Sequence, residues 1–240
     1  VLRNKSKRFA YNPIIASGIN SNYLHYIKNN KQCQSGEIIL MDVGAEYANY
    51  SSDMTRTIPV NGKFTTRQKT IYQAVLNVKK SATELLRPGV LWKDYHIEVG
   101  NIMTSELLKI GLLNKVDIQN QTKKKPAYKK YFSHGTSHHM GLDTHDYCDL
   151  DMPFEKNMVL TVEPGIYIME EGFGIRLEDV VLIQEKSLMK EYQREVAQVS
   201  QVKKDLDSER SRIQDSKVKE KEEEFEKLKR QWSSHETFVE

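Results

Sequence analysis

Cysteine is scarce in this chain: Cys33 and Cys148 are its two in 240 residues. They do not form a metal-spacing pair and suggest no framework of bridges, which argues against a thiolate zinc site and a disulfide scaffold. There is no secretory signal pattern and no apolar run long enough to span a bilayer. A reducing, cytoplasmic setting with no membrane partner is the expectation. An excess of one charge is also missing, since 36 basic residues face 33 acidic ones for a net +3. That near-balance gives no electrostatic case for a nucleic-acid partner. The one basic cluster, Lys123–Lys125 with Lys129 and Lys130, reads as a solvated loop. No GxSxG elbow, P-loop or GxGxxG fingerprint is present. Cys148 follows His-Asp-Tyr with no basic surroundings to make it a nucleophile. The chain opens on Val1 rather than Met, which reads as the mark of a missing N-terminal piece.

The hydrophobic fraction of 38% is low for a globular chain. The deficit is local: residues 9–185 read as an ordinary folded domain, and the polar excess lies in the last quarter. Residues 9–19 predict a short extended segment broken at Pro13. Strands are expected at IILMDVG and at the segment ending TRTIPV, paired antiparallel across a turn region, AEYANYSSD. Pro59 then falls at a strand end, where a missing N–H is tolerated. Thr65 and Gln68 have capping-box spacing. Ile71, Val75, Val78, Ala82 and Leu85 follow at helical intervals, which predicts a helix over 66–86 stopped by Pro88 and Gly89. A second helix is expected over about 92–111, with Ile97, Ile102, Leu107 and Leu108 apolar and Gly111 at its end. Residues 114–131 read as irregular. MVLTVEPGIYI and IRLEDVVLI read as two strands paired through the short EEGFG stretch. The fold class expected is α+β, with hairpins and two central helices.

Residues 186–240 are expected to be a charged helical or disordered tail. Between Lys203 and Arg230, 10 basic and 9 acidic residues occupy 28 positions without Pro or Gly. Val199, Val202, Leu206 and Ile213 have a/d-like spacing; the phase then slips before Val218, Phe225, Leu228 and Trp232. A solvated helix is the plain reading, and a coiled-coil partner or homo-oligomer the alternative.

Five residues carry chemistry: Asp42, Asp53, His138, Glu163 and Glu178. Asp42, Glu163 and Glu178 interrupt apolar strand-forming runs, where a carboxylate is costly unless paired or metal-bound. Each alone has an ordinary explanation, such as an outward-facing position on a hairpin. Together, four carboxylates brought into one cleft repel strongly and must share protons or hold cations. Two divalent ions supply +4 against −4, and one bridging hydroxide leaves −1. Oxygen-rich ligation with one imidazole suits Mn²⁺, Mg²⁺, Co²⁺ or Zn²⁺. Two such ions about 4 Å apart acidify a shared water and polarise a carbonyl, the requirements of amide hydrolysis. His134, His138, His139 and His145 crowd one short segment, and His25 precedes the first of these strands.

In order and context (MDVG, SSDMTRT, HGTSHHMGLDTHD, VLTVEPGIYI, GIRLED), these residues resemble the pita-bread metallopeptidases over about residues 8–185, and within them most closely aminopeptidase P. The resemblance implies an antiparallel curved sheet with covering helices and a dinuclear site, usually manganese. It implies that Asp42 chelates one metal, that Asp53 and Glu178 bridge both, and that His138 and Glu163 complete the other's shell. It further implies that His25 lies near the scissile carbonyl and His145 helps stabilise the intermediate. His134 and Arg176 would line the substrate pocket, and Glu163 would relay a proton to the leaving nitrogen. Four departures stand out. The family's separate N-terminal domain and opening helix are not seen here. The run Leu177-Glu178-Asp179-Val180 lacks the second acid usual after the last ligand. Cys148 stands where glycine is common, which predicts a strained turn. Residues after about 186 look foreign to the family.

The expected function is therefore metal-dependent removal of an N-terminal residue that precedes proline, by a metal-bridging hydroxide, in a catalytic domain spanning 1–185. Prolidase, which cleaves Xaa-Pro dipeptides with the same ligands, is the alternative within the class. An inactive remnant that binds a partner through its C-terminal helix is the alternative outside it.

Overall fold

A computed structural model describes residues 5–122 and 124–233. Residues 1–4, Lys123 of the basic cluster, and the side chains of Phe225, Leu228 and Trp232 lie outside the described residues. The chain divides into two units, Val1–Glu185 and Lys186–Glu240.

The first unit opens with β1 (Arg8–Phe9) and β2 (Ile14–Ser17), separated by the Asn12-Pro13 break. Next come β3 (Ile38–Asp42), β4 (Ala45–Tyr47), β5 (Tyr50–Ser51) and β6 (Thr55–Pro59). β3 pairs antiparallel with both β2 and β6, and Pro59 does end its strand. The expected turn region between β3 and β6 is itself a hairpin, β4–β5, which also takes β1 as a neighbour. Gly44 makes this excursion possible, because a Cβ there would sit 1.9 Å from the Ser52 carbonyl oxygen.

α1 (Thr66–Leu85) starts at a complete capping box, with Thr65 accepting from the Gln68 N–H and Gln68 accepting from the Thr65 N–H. Ile71, Val75, Val78 and Ala82 are fully buried along it. α2 (Trp92–Lys109) is followed by Gly111 in a left-handed conformation. Its buried stripe is Trp92, Tyr95, Val99, Met103 and Leu107, whereas Ile97 and Leu108 are exposed. Of the expected apolar positions Leu107 is buried and Ile102 packs against the core, and the rest of the stripe runs through the aromatics, Trp92 and Tyr95 packing edge-on against Phe154. The stretch expected to be irregular contains α3 (Lys115–Gln119), which Asn114 and Asp117 nucleate with a second capping box.

The two long strands expected near the end are four: β7 (Val159–Val162), β8 (Gly165–Ile168), β9 (Phe173–Arg176) and β10 (Asp179–Leu182). β8 pairs with β9 and β7 with β10, so the expected antiparallel partnership is broken in its middle. Pro164 has no N–H to give the ladder, and the break falls at Glu163-Pro164 opposite Leu177-Glu178. α1 and α2 close over these strands, their buried faces meeting Leu160, Val162, Ile166 and Ile175 in one core. The left-handed positions among described non-glycine residues are Lys5, Asn29, Ala48, Asn49 and Asn157. Cys148 is not one of them, so the strain expected at it is not found.

The second unit contains α4 (Lys186–Ser233), on which Val199, Val202, Leu206, Ile213 and Val218 are exposed. Among the described residues, no helix is long and apolar enough to cross a membrane.

Candidate active site

Each of the four acids stands at the end of a strand rather than inside one. Asp42 closes β3, opposite Thr55 in the ladder. Asp53 precedes β6, and the Val43 N–H bond to the Met54 carbonyl (3.0 Å) folds the two acids alongside one another. Glu163 follows β7, its N–H held by the Thr136 carbonyl at 2.8 Å. Glu178 stands between β9 and β10 and donates its N–H to Thr55 O at 3.1 Å. The segment carrying His138 runs beside β7: Thr161 N–H reaches His138 O at 3.0 Å, and Thr161 Oγ1 accepts from His138 N–H at 3.1 Å.

Asp42, Asp53, His138, Glu163 and Glu178, together with His25, His134, His145 and Arg176, line one cavity of about 510 Å³. Ligand atoms of Asp53, His138 and Glu178 lie within 4.8 Å of one another. His138 Nε2 is 3.6 Å from Asp53 Oδ2 and 3.7 Å from Glu163 Oε1. Its Nδ1 donates to the His139 carbonyl at 2.9 Å, which directs the Nε2 lone pair into the cluster. Asp42 sits at the margin of this group, its carboxylate taken by the Tyr11 hydroxyl and by Arg176 Nη2 at 2.5 Å. The Tyr11 oxygen is also 2.5 Å from Asp53 Oδ1, so its single proton lies between the two carboxylates.

The electrostatics are those of crowded carboxylates. Burial, reinforced by the charges of Glu163, Asp53 and Asp42, pushes Glu178 up to about 10. Burial pushes Glu163 up to about 7 against the pull of His138 and Arg176. Asp42 is raised too, chiefly by burial. Burial opposes the charge on Asp53, but His138 and Tyr11 outweigh it and hold the carboxyl low. His138 is the mirror case, disfavoured by burial yet raised by Asp53 and Glu163. One oxygen of Glu178, Oε2, accepts from the Thr55 hydroxyl at 2.7 Å. The other, Oε1, is buried with no hydrogen-bond partner. An orphaned carboxylate oxygen beside three further acids and a directed imidazole nitrogen fits hard divalent cations, and a metal centre is what this donor set suits.

The other expected residues are arranged around the cluster. His145 is exposed, its ring 4.1 Å from that of His138, and burial lowers its pKa. His25 is exposed on the loop after the turn Gly18–Asn22. His134 Nε2 meets the Tyr167 hydroxyl at 2.8 Å, and burial beside Arg176 pushes its pKa down to about 3. Arg176 is 3% exposed, and its donors are spent on Asp42, on Tyr167 (2.9 Å) and on Thr55 (3.2 Å). Sequence reasoning missed Tyr11, Thr55 and Tyr167. Thr55 lies two residues from Asp53 and opens the strand that Asp53 precedes, a local cue. Tyr11 carries no such signal, because its partners are distant in sequence, and Tyr167 reaches Arg176 only across the β8–β9 hairpin and His134 from 33 residues away.

The sequence pattern of metallopeptidase family M24 matches residues 1–185. The Xaa-Pro aminopeptidase of Haemophilus influenzae is 42% identical over 188 residues, covering 73% of this chain and 43% of that protein. The human Xaa-Pro aminopeptidase 3 is 38% identical over 189 residues, covering 74% and 37%. Among solved structures, Escherichia coli aminopeptidase P with the inhibitor Pro-Leu superimposes with a TM-score of 0.70 at 40% identity, covering 77% of this chain and 44% of that one. The zinc-substituted form of the same enzyme with product matches equally well, at a TM-score of 0.70. The fold is thus the α+β pita-bread arrangement. The chain spans less than half the length of these curated relatives.

Proposed function

The chain belongs to metallopeptidase family M24, and on that premise we propose that it hydrolyses the peptide bond between an N-terminal residue and a following proline. The observation that carries the reading is the convergence of Asp42, Asp53, His138, Glu163 and Glu178 on one cavity, with Glu178 Oε1 unpartnered. Asp42 would serve one cation, His138 and Glu163 the other, and Asp53 and Glu178 both. Two divalent ions, Mn²⁺ in the first instance, would supply an acidified water and polarisation of the scissile carbonyl.

The chain's own residues do the rest. Tyr11 and Arg176 hold the Asp42 carboxylate in place. Glu163, half-buried on the cavity wall beside His138, takes the proton of the attacking water. As the C–N bond breaks, it hands that proton to the prolyl nitrogen, which leaves as a neutral amine. His25 and His145, both exposed and both lining the cavity, donate to the oxygen of the substrate carbonyl as its charge develops. His134, kept neutral by burial and tied to Tyr167, forms with Arg176 the wall against which the proline ring packs. Ile14, Leu24 and Ile27 give the same cavity an apolar side for the first residue's side chain.

The test is hydrolysis of an Xaa-Pro-Xaa tripeptide beside the matching Xaa-Pro dipeptide, with Mn²⁺ and after chelation. Metal-dependent release of the first residue from the tripeptide is expected. Preference for the dipeptide would make the chain a prolidase instead. Two metals bound per chain with no release from either would leave the remnant reading, in which the exposed apolar residues of α4 bind a partner helix.

A further inference from the structure

Beside Glu178, two cations that the reaction does not use, Arg56 and Lys79, meet at Asp179. Arg56 is the second residue of β6. Its Nη1 donates to two carbonyls at once, Thr55 O at 2.9 Å and Glu178 O at 2.5 Å. Its Nη2 donates to Asp179 Oδ1 at 2.7 Å. The other oxygen of Asp179 is held by Lys79 from α1. Asp179, at the start of the strand that follows Glu178, thus holds the guanidinium through one oxygen and is itself held by Lys79 of α1 through the other.

Its placement matters because of how the acids are divided. Asp42 and Asp53 belong to the sheet β2–β3–β6, while Glu163 and Glu178 flank the separate pair β7–β10, and no ladder joins the two among the described residues. At Glu178 they are connected by the Glu178 N–H to Thr55 O, by Thr55 Oγ1 to Glu178 Oε2, and by the fork of Arg56. A planar guanidinium grips two carbonyls through one nitrogen and a carboxylate through another in a fixed fork, whereas an ammonium gathers its three donors on one flexible point and does not fix that geometry. Any slip of β10 against β6 would break the Arg56 contacts and move Glu178 away from Asp53 and His138.

We propose that Arg56, braced by Asp179 and Lys79, is a positioning residue that fixes the two halves of the carboxylate cluster against each other and thereby sets its affinity for divalent cations. This rests on the reading of the cluster as a metal site. Residues that orient ligands in this way change metal affinity by about 10- to 100-fold when lost.

The experiment is titration of the full chain with Mn²⁺, free ion being read by its electron paramagnetic resonance signal, for wild type, Arg56→Met, Arg56→Lys and Lys79→Met. Circular dichroism at the titration temperature checks that each variant is folded. Arg56→Met is expected to weaken Mn²⁺ binding about 10- to 100-fold. Arg56→Lys should recover only part of that, and Lys79→Met should weaken binding less, in the same direction. A purely structural role would lower the melting temperature of Arg56→Met and leave its Mn²⁺ affinity at the wild-type value; that result overturns the proposal. If Arg56→Met does not fold, Lys79→Met decides, and unchanged affinity there overturns it equally. Wild type that binds no Mn²⁺ would overturn the metal-site reading itself, and the proposal with it, whereas tight wild-type binding matched by every variant overturns the proposal alone.

Discussion

Replacing Glu163 by Gln should abolish turnover and yet stabilise the metal-free protein as pH rises. Burial lifts this carboxyl from 4.5 to about 7. Its folded-state pKa lies above its unfolded one, so between those values the folded protein holds a proton that the unfolded chain has released. The stability tied to Glu163 is therefore full below pH 4.5 and is lost as pH rises through 7. At 1.36 kcal/mol per tenfold change in proton affinity, the loss amounts to about 3 kcal/mol. Gln has the shape of the protonated acid and never ionises. In chelator, Glu163→Gln and wild type should match near pH 4.5, and the variant should lead by about 3 kcal/mol at pH 8. For a chain of this size that is roughly 6–12 °C in Tm. Taking the difference between the two proteins at each pH removes the opposing contribution of His134, whose lowered pKa makes wild type more stable as pH rises toward 6.5. With saturating Mn²⁺ the order should reverse, since the variant has lost an ionised ligand. Paired thermal melts from pH 4.5 to 8 measure all of this. A difference between variant and wild type that stays flat across that range in chelator would refute the account of Glu163 as a carboxyl forced to ionise in a buried, negatively charged site.

Four further outcomes follow from the structure. Thr55→Val removes the hydroxyl shared by Glu178 Oε2 and Arg176 Nε, and should cost about 1–3 kcal/mol in urea unfolding and weaken Mn²⁺ binding; an unchanged unfolding midpoint would show that these bonds are replaceable. Leu107→Ala, at a fully buried position of the shared core, should cost about 2–5 kcal/mol by the same measurement, while Thr65→Ala, which deletes the α1 cap, should cost about 1 kcal/mol. Deleting residues 186–240 should leave metal-dependent tripeptide hydrolysis intact, and loss of activity in that variant would refute a catalytic unit ending at 185.

Much of the local structure was legible in the residues. The Thr65–Gln68 box and the buried face of α1 are set by short-range hydrogen bonding and periodicity, and both are found in the fold. The four acids and the imidazole could be singled out because a carboxylate in an apolar run needs an explanation, and their motifs carried the family. Where several signals compete, local reading fell short. The buried face of α2 includes the expected Leu107, but Ile97 and Leu108 gave way to Trp92 and Tyr95, which meet Phe154 more than 50 residues away. The breaks at Glu163-Pro164 and Leu177-Glu178 were hidden because both halves of each strand are equally apolar; only the pairing across them shows the chain bending to turn two glutamates into the cleft. Sequence by itself determined which side chains can hold charge and where the longer strands and the two central helices form, because those follow from the chemistry of each residue and its near neighbours. Tertiary structure alone decided that Tyr11 would join Asp42 to Asp53, that Arg176 would be spent on Asp42, and that Arg56 would grip Glu178, because each bond spans 31 to 134 positions and exists only once separate sheets are brought together.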